Sequence, residues 1–253
     1  MFASIGIYKP CGIFTAGHFM LAGITLICIL IALKYTRKIQ KKNVYLIIRY
    51  TTVIMWLLEV IKIILNVKQN SIHDVNTYVP LYYCSMLLYA GLLSSFGNGK
   101  IKKIGDVALA TGVAIGGIVF IIYPSTSLPM YPAFHFLSIH SFLFHGIMIY
   151  LGILVNITNY IKIKKEDIKC FAVLVGVMSI IALIINNLFD GNLMFISNNF
   201  PGTPIEIIYN LTNGDILYSI IMILAQMIIP FYISYYIINS VDKVIHVRGK
   251  YEK

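Results

Sequence analysis

The sequence predicts an all-α integral membrane protein, a bundle of seven transmembrane helices, from three observations. The composition is 58% hydrophobic and only 12% charged, whereas charged residues make up about a quarter of a soluble domain. The mean hydropathy is +0.82. Seven apolar stretches each approach the roughly 20 residues that a helix needs to cross the hydrocarbon core. The alternating segments of about ten residues that are typical of a membrane β-barrel do not occur in the sequence.

The apolar stretches define where the helices are expected. They lie near residues 12–33, 44–67, 79–96, 107–123, 133–157, 168–188 and 216–240. We find no internal repeat and no boundary between two compositions, so we predict one integral membrane domain over residues 1–253. Gly112 and Gly116 form a GxxxG pair in the fourth stretch, a pattern typical of close helix packing.

Basic residues orient the predicted bundle, because cytoplasmic loops are enriched in lysine and arginine. The formal net charge is +10. The first, third and fifth connections and the C-terminal tail hold most of the basic residues, whereas the other faces hold Lys9 and Lys68. We therefore expect the N-terminus outside and the C-terminus in the cytoplasm. The basic faces suit anionic lipid headgroups, and we expect no nucleic-acid partner.

Predicted helix two contains two ionisable residues, Glu59 and Lys62, in its outer half. Such groups are costly in hydrocarbon unless they are paired or face water. They can form a self-neutralising pair on one helix face, with the lysine reaching outward. They can equally belong to a polar site, and the sequence leaves both interpretations open.

Cys84 lies near the outer end of predicted helix three, after Pro80, which we place in the first helical turn. The four cysteines form no CxxC pair, so no metal site of that spacing is expected. Cys84 can be a small apolar residue of the core, a nucleophile, or half of a disulfide with Cys11.

Predicted helix five contains His135, His140 and His145. Steps of five residues turn a helix by about 140°, so neighbouring histidines cannot chelate one metal ion from a straight helix. His135 and His145 share a face with Ser138, whereas His140 points among phenylalanines. The shared face favours His145 as a site residue, while depth in the membrane favours His140, which is nearer the level of Cys84. Histidines that merely bridge helices in the core are the alternative.

Polar residues also follow predicted helix six. Asn186, Asn187 and Asp190 lie at its outer end, and Asn192 begins a long connector that reaches Asp215. This connector mixes aromatic and amide side chains. It can form a partly inserted lid over an outward-facing cavity, or an ordinary surface loop packed on the bundle.

Three short motifs carry a resemblance to a known family. They are Pro-Leu-x-x-Cys-Ser at the start of helix three, Pro-x-Phe…Ser-Phe-x-x-His-Gly in helix five, and Asn-x-Met-Phe followed by Pro-Gly-Thr-Pro. In this order, over residues 44–240, they resemble the YwaF family of bacterial integral membrane proteins. That family is related to an animal cysteine-dependent transmembrane acyltransferase, which moves fatty acyl chains between glycerophospholipids.

The resemblance implies that Cys84 is a nucleophile and that His145 of the His-Gly element is its partner, with the additional His140 as a second catalytic candidate. A thiolate can attack an ester carbonyl, hold the chain as a thioester and pass it to a lysophospholipid hydroxyl. Histidine would take the thiol proton and later activate the acceptor. Glu59 or Asp190 could orient the imidazole, and asparagines could stabilise an oxyanion. The supporting residues would be Glu59, His135, Asn186, Asn187, Asp190 and Asn192.

The predicted reaction takes place between lipids, so its partners are a phospholipid and a lysophospholipid, and neither a cofactor nor a metal ion is expected. For a bacterial source, as the resemblance implies, the location is the plasma membrane. The competing prediction is a non-enzymatic seven-helix transporter or receptor that binds a small polar ligand in the same cavity. A binding pocket should tolerate the near-isosteric exchange of Cys84 for serine, whereas the enzyme should not.

Overall fold

The predicted architecture is confirmed by the computed structural model, which describes residues 6–69 and 74–251, with side chains over 6–68 and 74–241. These ranges contain no strand. Within them, seven helical segments are long and apolar enough to cross a membrane. They are Ala16–Thr36, Lys41–Lys68, Val75–Phe96, Gly99–Ile122, Phe136–Ile157, Lys165–Phe189 and Ile216–Val241.

Several of these spans are composed of more than one helical element. The α-helices are α1 (Ala16–Thr36), α2 (Lys41–Gln69), α3 (Val75–Tyr78), α4 (Met86–Phe96), α5 (Gly99–Ala108), α6 (Ala114–Ile122), α7 (Phe136–Ile157), α8 (Ile168–Phe189), α9 (Pro204–Leu211) and α10 (Ile216–Tyr251). A π-helical turn, Leu109–Val113, joins α5 to α6. The 3₁₀ turns are Tyr83–Ser85, Lys165–Asp167 and Leu193–Phe195.

The third span differs from the continuous helix expected over residues 79–96. Its first part is the single turn of α3, capped by Asp74, whose carboxylate accepts a hydrogen bond from Asn76 N at 3.0 Å. Val79 is extended, with ψ 114°, because a following proline disfavours the helical conformation. Pro80 therefore lies in a short linker between helices and not in the first turn of a helix.

The connections group at the two ends of the bundle. Residues 37–40, 97–98 and 158–164 connect spans at one end, which we call the basic end. Residues 123–135 and 190–215 connect spans at the opposite end. The side of the membrane that each end faces stays a prediction from the charge pattern.

A complete ionic network fixes the basic end. Lys102 Nζ lies 2.9 and 2.6 Å from the two carboxylate oxygens of Asp106 and donates to Tyr160 Oη at 2.7 Å. Ser94 Oγ donates to Asp106 Oδ1 at 2.5 Å. Burial raises the pKa of Tyr160, although the hydrogen bond from Lys102 acts in the opposite direction. The network links α4, α5 and the connection after α7.

Candidate functional site

A second group of ionisable side chains lies between α2, α7 and the start of α4. We call Glu59, Lys62, Cys84, His140 and His145 the polar cluster. Glu59 is 1% exposed, and its Oε1 lies 2.5 Å from Lys62 Nζ. Its Oε2 lies 3.9 Å from His140 Nε2. The i,i+3 pair expected from the sequence therefore forms, and it also adjoins a histidine that the sequence had singled out.

Cys84 lies in the 3₁₀ turn directly before α4 and is half-buried. Both Lys62 and Glu59 are within electrostatic range of its sulphur, and the backbone N–H groups of Cys84 and Ser85 interact with it. The start of a helix and a nearby ammonium group stabilise a thiolate, whereas burial and the Glu59 carboxylate oppose it, so a base is needed to take the thiol proton. All four cysteines fall within the described ranges as free thiols, so the disulfide between Cys11 and Cys84 that the sequence left open is not formed.

Tyr83 anchors the turn that contains Cys84. Its hydroxyl donates to Gly112 O at 3.2 Å, a carbonyl of the π-helical turn, a type of element that often occurs at functional sites. A Cβ on Gly116 would lie 3.0 Å from the Tyr83 ring. Gly116 thus provides a slot for the tyrosine ring, whereas a Cβ on Gly112 would first meet the Phe171 ring of α8. Gly117 is also closely packed, because a Cβ there would lie 2.7 Å from His145 O.

His145 is buried, and one of its ring nitrogens has a defined role. Its ring stacks on Phe120 with centroids 3.6 Å apart, and Nδ1 lies 2.7 Å from Ser141 O. A carbonyl oxygen can only accept, so Nδ1 carries the proton and Nε2 keeps a lone pair. No hydrogen bond to Nε2 occurs among the described residues. Lys62 and His140 are both within electrostatic range of this imidazole.

His140 is 4% exposed, and its ring lies between Phe136 and Phe144, 5.9 Å from each. Its position among phenylalanines is as predicted, but the ring also faces Glu59. Its Nε2 has no hydrogen-bond partner within the described part of the chain. Lys62 is within electrostatic range of both imidazoles and of the Cys84 sulphur.

The remaining predicted histidine, His135, is the N-cap of α7. Its Nδ1 accepts from Leu137 N at 3.2 Å, and its ring stacks on Tyr131 at 4.5 Å. A buried histidine that the sequence analysis did not select, His18, shows what a satisfied core histidine looks like. Its Nδ1 accepts from Phe14 N at 3.1 Å, and its Nε2 lies 2.9 Å from Ile121 O.

The amide groups predicted to stabilise an oxyanion instead hold the segment after α8. Asn186 donates to Leu193 O at 3.1 Å and to Ser197 Oγ at 2.7 Å. Asn192 accepts from Ser197 N at 3.2 Å and from Asn198 N at 3.0 Å. Both side chains therefore serve the shape of this segment.

The other two predicted supporting residues lie on the surface. Asn187 and Asp190 are exposed. Asp190 ends α8 in the left-handed conformation, with φ 52°, a common way to terminate a helix. Neither residue belongs to the polar cluster, so the suggestion that Asp190 orients a catalytic imidazole is not supported by this geometry.

Segment 192–200 of the connector is packed into the bundle, which both sequence interpretations, a lid and a packed loop, allow. Leu193, Met194 and Ile196 are each 0% exposed. Irregular backbone in an apolar environment needs partners for its carbonyls, and α10 provides them. Gln226 donates to Met194 O at 2.9 Å, and Ser219 donates to Ile196 O at 2.6 Å.

The inserted segment also reaches the vicinity of Cys84. The Phe195 ring lies 5.2 Å from the Tyr82 ring, two residues before the cysteine. Tyr82 Oη donates to Asn76 O at 3.1 Å, and Asn76 Oδ1 accepts from Asn192 N at 2.8 Å. The connector after α8 and the linker before α4 thus form one hydrogen-bonded unit beside the polar cluster.

A sequence model of the TMEM164 family, a family of membrane proteins, matches residues 13–236. The chain belongs to the TMEM164 family. The match contains the whole polar cluster and the inserted segment. No curated protein and no solved structure matches the chain.

The chemistry available to this member of the TMEM164 family is that of a thiol, two imidazoles and one carboxylate–ammonium pair. The described residues include no group of three histidine, cysteine, aspartate or glutamate side chains that could hold a metal ion. An apolar groove of about 340 Å³ lies between α1 and α7, lined by Cys28 and Gly146 among others. None of the five cluster residues lines this groove.

Proposed function

We propose that this member of the TMEM164 family is a membrane acyltransferase that moves a fatty acyl chain between lipids through a thioester on Cys84. One observation carries the proposal. Cys84 is a free thiol at the start of a helix, and the ammonium group of Lys62 lies within electrostatic range of this thiol and of two imidazoles. This combination of groups can generate a thiolate and move protons, which is what nucleophilic acyl transfer requires.

The first half-reaction forms the acyl-enzyme. His145 Nε2 takes the thiol proton, and the Cys84 sulphur attacks the ester carbonyl of a phospholipid. The ester C–O bond breaks, and the same proton passes to the departing lysophospholipid oxygen. The backbone N–H groups at the start of α4 and the Lys62 ammonium stabilise the negative charge on the carbonyl oxygen.

The second half-reaction transfers the chain. A hydroxyl of the acceptor lysophospholipid attacks the thioester carbonyl, and a base in the cluster takes the hydroxyl proton. The new C–O bond forms as the C–S bond breaks, and the proton returns to the Cys84 sulphur. Acyl donor and acceptor are both lipids, and no redox change occurs.

Lipid substrates fit the position of the cluster, because its five residues all lie within membrane-spanning segments. The motifs around Cys84 and His145 also support lipid substrates, because they resemble those of the YwaF family, which is related to a lipid acyltransferase. From the distribution of basic residues, we further propose that the site opens toward the outer leaflet of a plasma membrane.

Mass spectrometry of the intact protein after incubation with phospholipid tests the proposal. We expect wild type to gain an acyl mass that hydroxylamine removes. Cys84→Ser should abolish this adduct, and His145→Ala should strongly reduce it. Cys28→Ser is the matched control, because Cys28 is an exposed thiol on α1, and it should behave as wild type. If the wild-type Cys84 thiol reacts with an alkylating agent but never acquires acyl mass, a ligand-binding transporter or receptor becomes the better interpretation.

A further inference from the structure

Two buried polar side chains of the cluster lack the hydrogen bonds that burial normally requires. Glu59 is 1% and His140 4% exposed. Their nearest atoms, Glu59 Oε2 and His140 Nε2, are 3.9 Å apart, too far for a direct hydrogen bond. Neither His140 Nε2 nor Glu59 Oε1 has a hydrogen bond within the described ranges, although Oε1 forms the ion pair with Lys62.

Elsewhere in the described ranges, the buried atoms without a hydrogen bond belong to neutral serine, asparagine and glutamine side chains. His18, which is equally buried at 2% exposure, has a partner for each ring nitrogen. The Asp106 carboxylate accepts from both Ser94 and Lys102. The gap between Glu59 and His140 is distinguished by lying between two ionisable side chains.

The gap matches the bonding capacity of a hydroxyl group. An oxygen atom about 2.8 Å from each side chain can contact both across this separation. It would donate its proton to the Glu59 carboxylate and accept from His140 Nε2–H. For the tautomer with the proton on Nε2, a carbonyl oxygen cannot donate to Glu59 and an ammonium group cannot accept from His140, so neither satisfies both partners.

We propose that Glu59 and His140 form the binding site for the acceptor hydroxyl that deacylates Cys84, an inference that rests on the proposed function. Glu59 takes the hydroxyl proton while the C–O bond forms and the thioester C–S bond breaks, and the proton then passes to the departing Cys84 thiolate. The hydroxyl belongs either to the glycerol of a lysophospholipid or to water. The first source gives transfer and the second gives hydrolysis.

The kinetic test separates the two half-reactions in Glu59→Gln and His140→Gln. Both variants should slow the loss of the adduct roughly tenfold more than they slow its formation, so that the thioester accumulates. Slower loss only with added lysophospholipid assigns the site to the glycerol hydroxyl. Slower loss in buffer alone as well assigns it to any hydroxyl, water included. Equal effects on formation and loss, or no effect on loss, would overturn the proposal.

Asp106→Asn is the matched control, because it alters another buried carboxylate that is paired with a lysine. It should change thermal stability and leave the ratio of formation to loss unchanged.

A binding measurement does not depend on the chemistry. In the Cys84→Ser background, lysophospholipid should bind roughly tenfold more tightly than its deoxy analogue, and His140→Gln should remove this preference. Equal binding of the two lipids refutes the hydroxyl site, whereas failure of wild type to form any adduct refutes only the proposed function.

Discussion

The pairs Lys102–Asp106 and Lys62–Glu59 each contain a buried carboxylate, and their surroundings differ. At the basic end, Asp106 accepts from Ser94 and from Lys102, and the same lysine donates to Tyr160. In the polar cluster, Glu59 has its ion pair with Lys62 and a histidine beyond hydrogen-bonding distance. Fully satisfied polar networks rigidify a fold, whereas unsatisfied ones are costly. The first pair therefore has the contacts of a stabilising network, and the second is the one for which we propose a ligand.

Asp106→Ala removes the carboxylate of the fully bonded pair, and we expect it to have the largest effect on stability. The substitution leaves Lys102 without its carboxylate and Ser94 without its acceptor. Removing one partner of a buried pair costs about 3 kcal/mol. We expect a clear fall in the thermal unfolding midpoint in detergent, with acylation of Cys84 retained at temperatures where the variant is folded. An unchanged midpoint would show that this network contributes little to stability.

Gly116→Ala tests whether the glycine slot positions the thiol of the cluster. The new Cβ would lie 3.0 Å from the Tyr83 ring and 3.0 Å from Met148 Cε, and overpacking of this kind costs about 1 to 3 kcal/mol. We expect a changed rate of Cys84 alkylation together with lower stability. Gly23→Ala on α1 is the control, because no atom lies within 4 Å of its added Cβ. The slot has no positioning role if both variants alkylate at the wild-type rate.

Glu59→Gln sharpens the comparison, because it should have little effect on stability. The amide keeps the volume of the side chain and relieves the burial of a charge whose one close partner in the described residues is Lys62, whereas Asp106→Ala also removes the acceptor of Ser94. We expect a change in the free energy of unfolding within about 1 kcal/mol. If Glu59→Gln and Asp106→Ala lower the free energy of unfolding equally, both pairs serve the fold in the same way.

The smallest expected effect concerns pH at the basic end. The pKa of Tyr160 is raised in the folded protein, so the unfolded chain loses this proton first as the pH rises. The stability contribution is complete below the ordinary tyrosine pKa of about 10 and declines above it. Between about pH 9 and pH 11, a range that spans this pKa, wild type should therefore lose slightly more stability than Tyr160→Phe in parallel unfolding experiments. Identical pH profiles would contradict the shift.

The chemistry of the candidate site was only partly visible in the sequence. Glu59, Cys84, His140 and His145 stood out because polar groups are rare in apolar stretches, and the structure brings them together around Lys62. The helical wheel separated His140 from His145 but could not show that α2 places Glu59 beside His140. Tyr83 gave no signal, because its slot depends on glycines 29 and 33 residues away along the chain.

The sequence by itself determined the seven spans, because the thickness of the bilayer converts apolar length directly into a transmembrane helix. Only the tertiary structure decided what each polar residue does. His135 caps a helix, His140 faces Glu59, and Asn186 and Asn192 hold an inserted segment. The physical reason is that a polar side chain in an apolar environment must find a partner. That partner depends on how neighbouring helices are rotated and packed, which no local pattern of residues specifies.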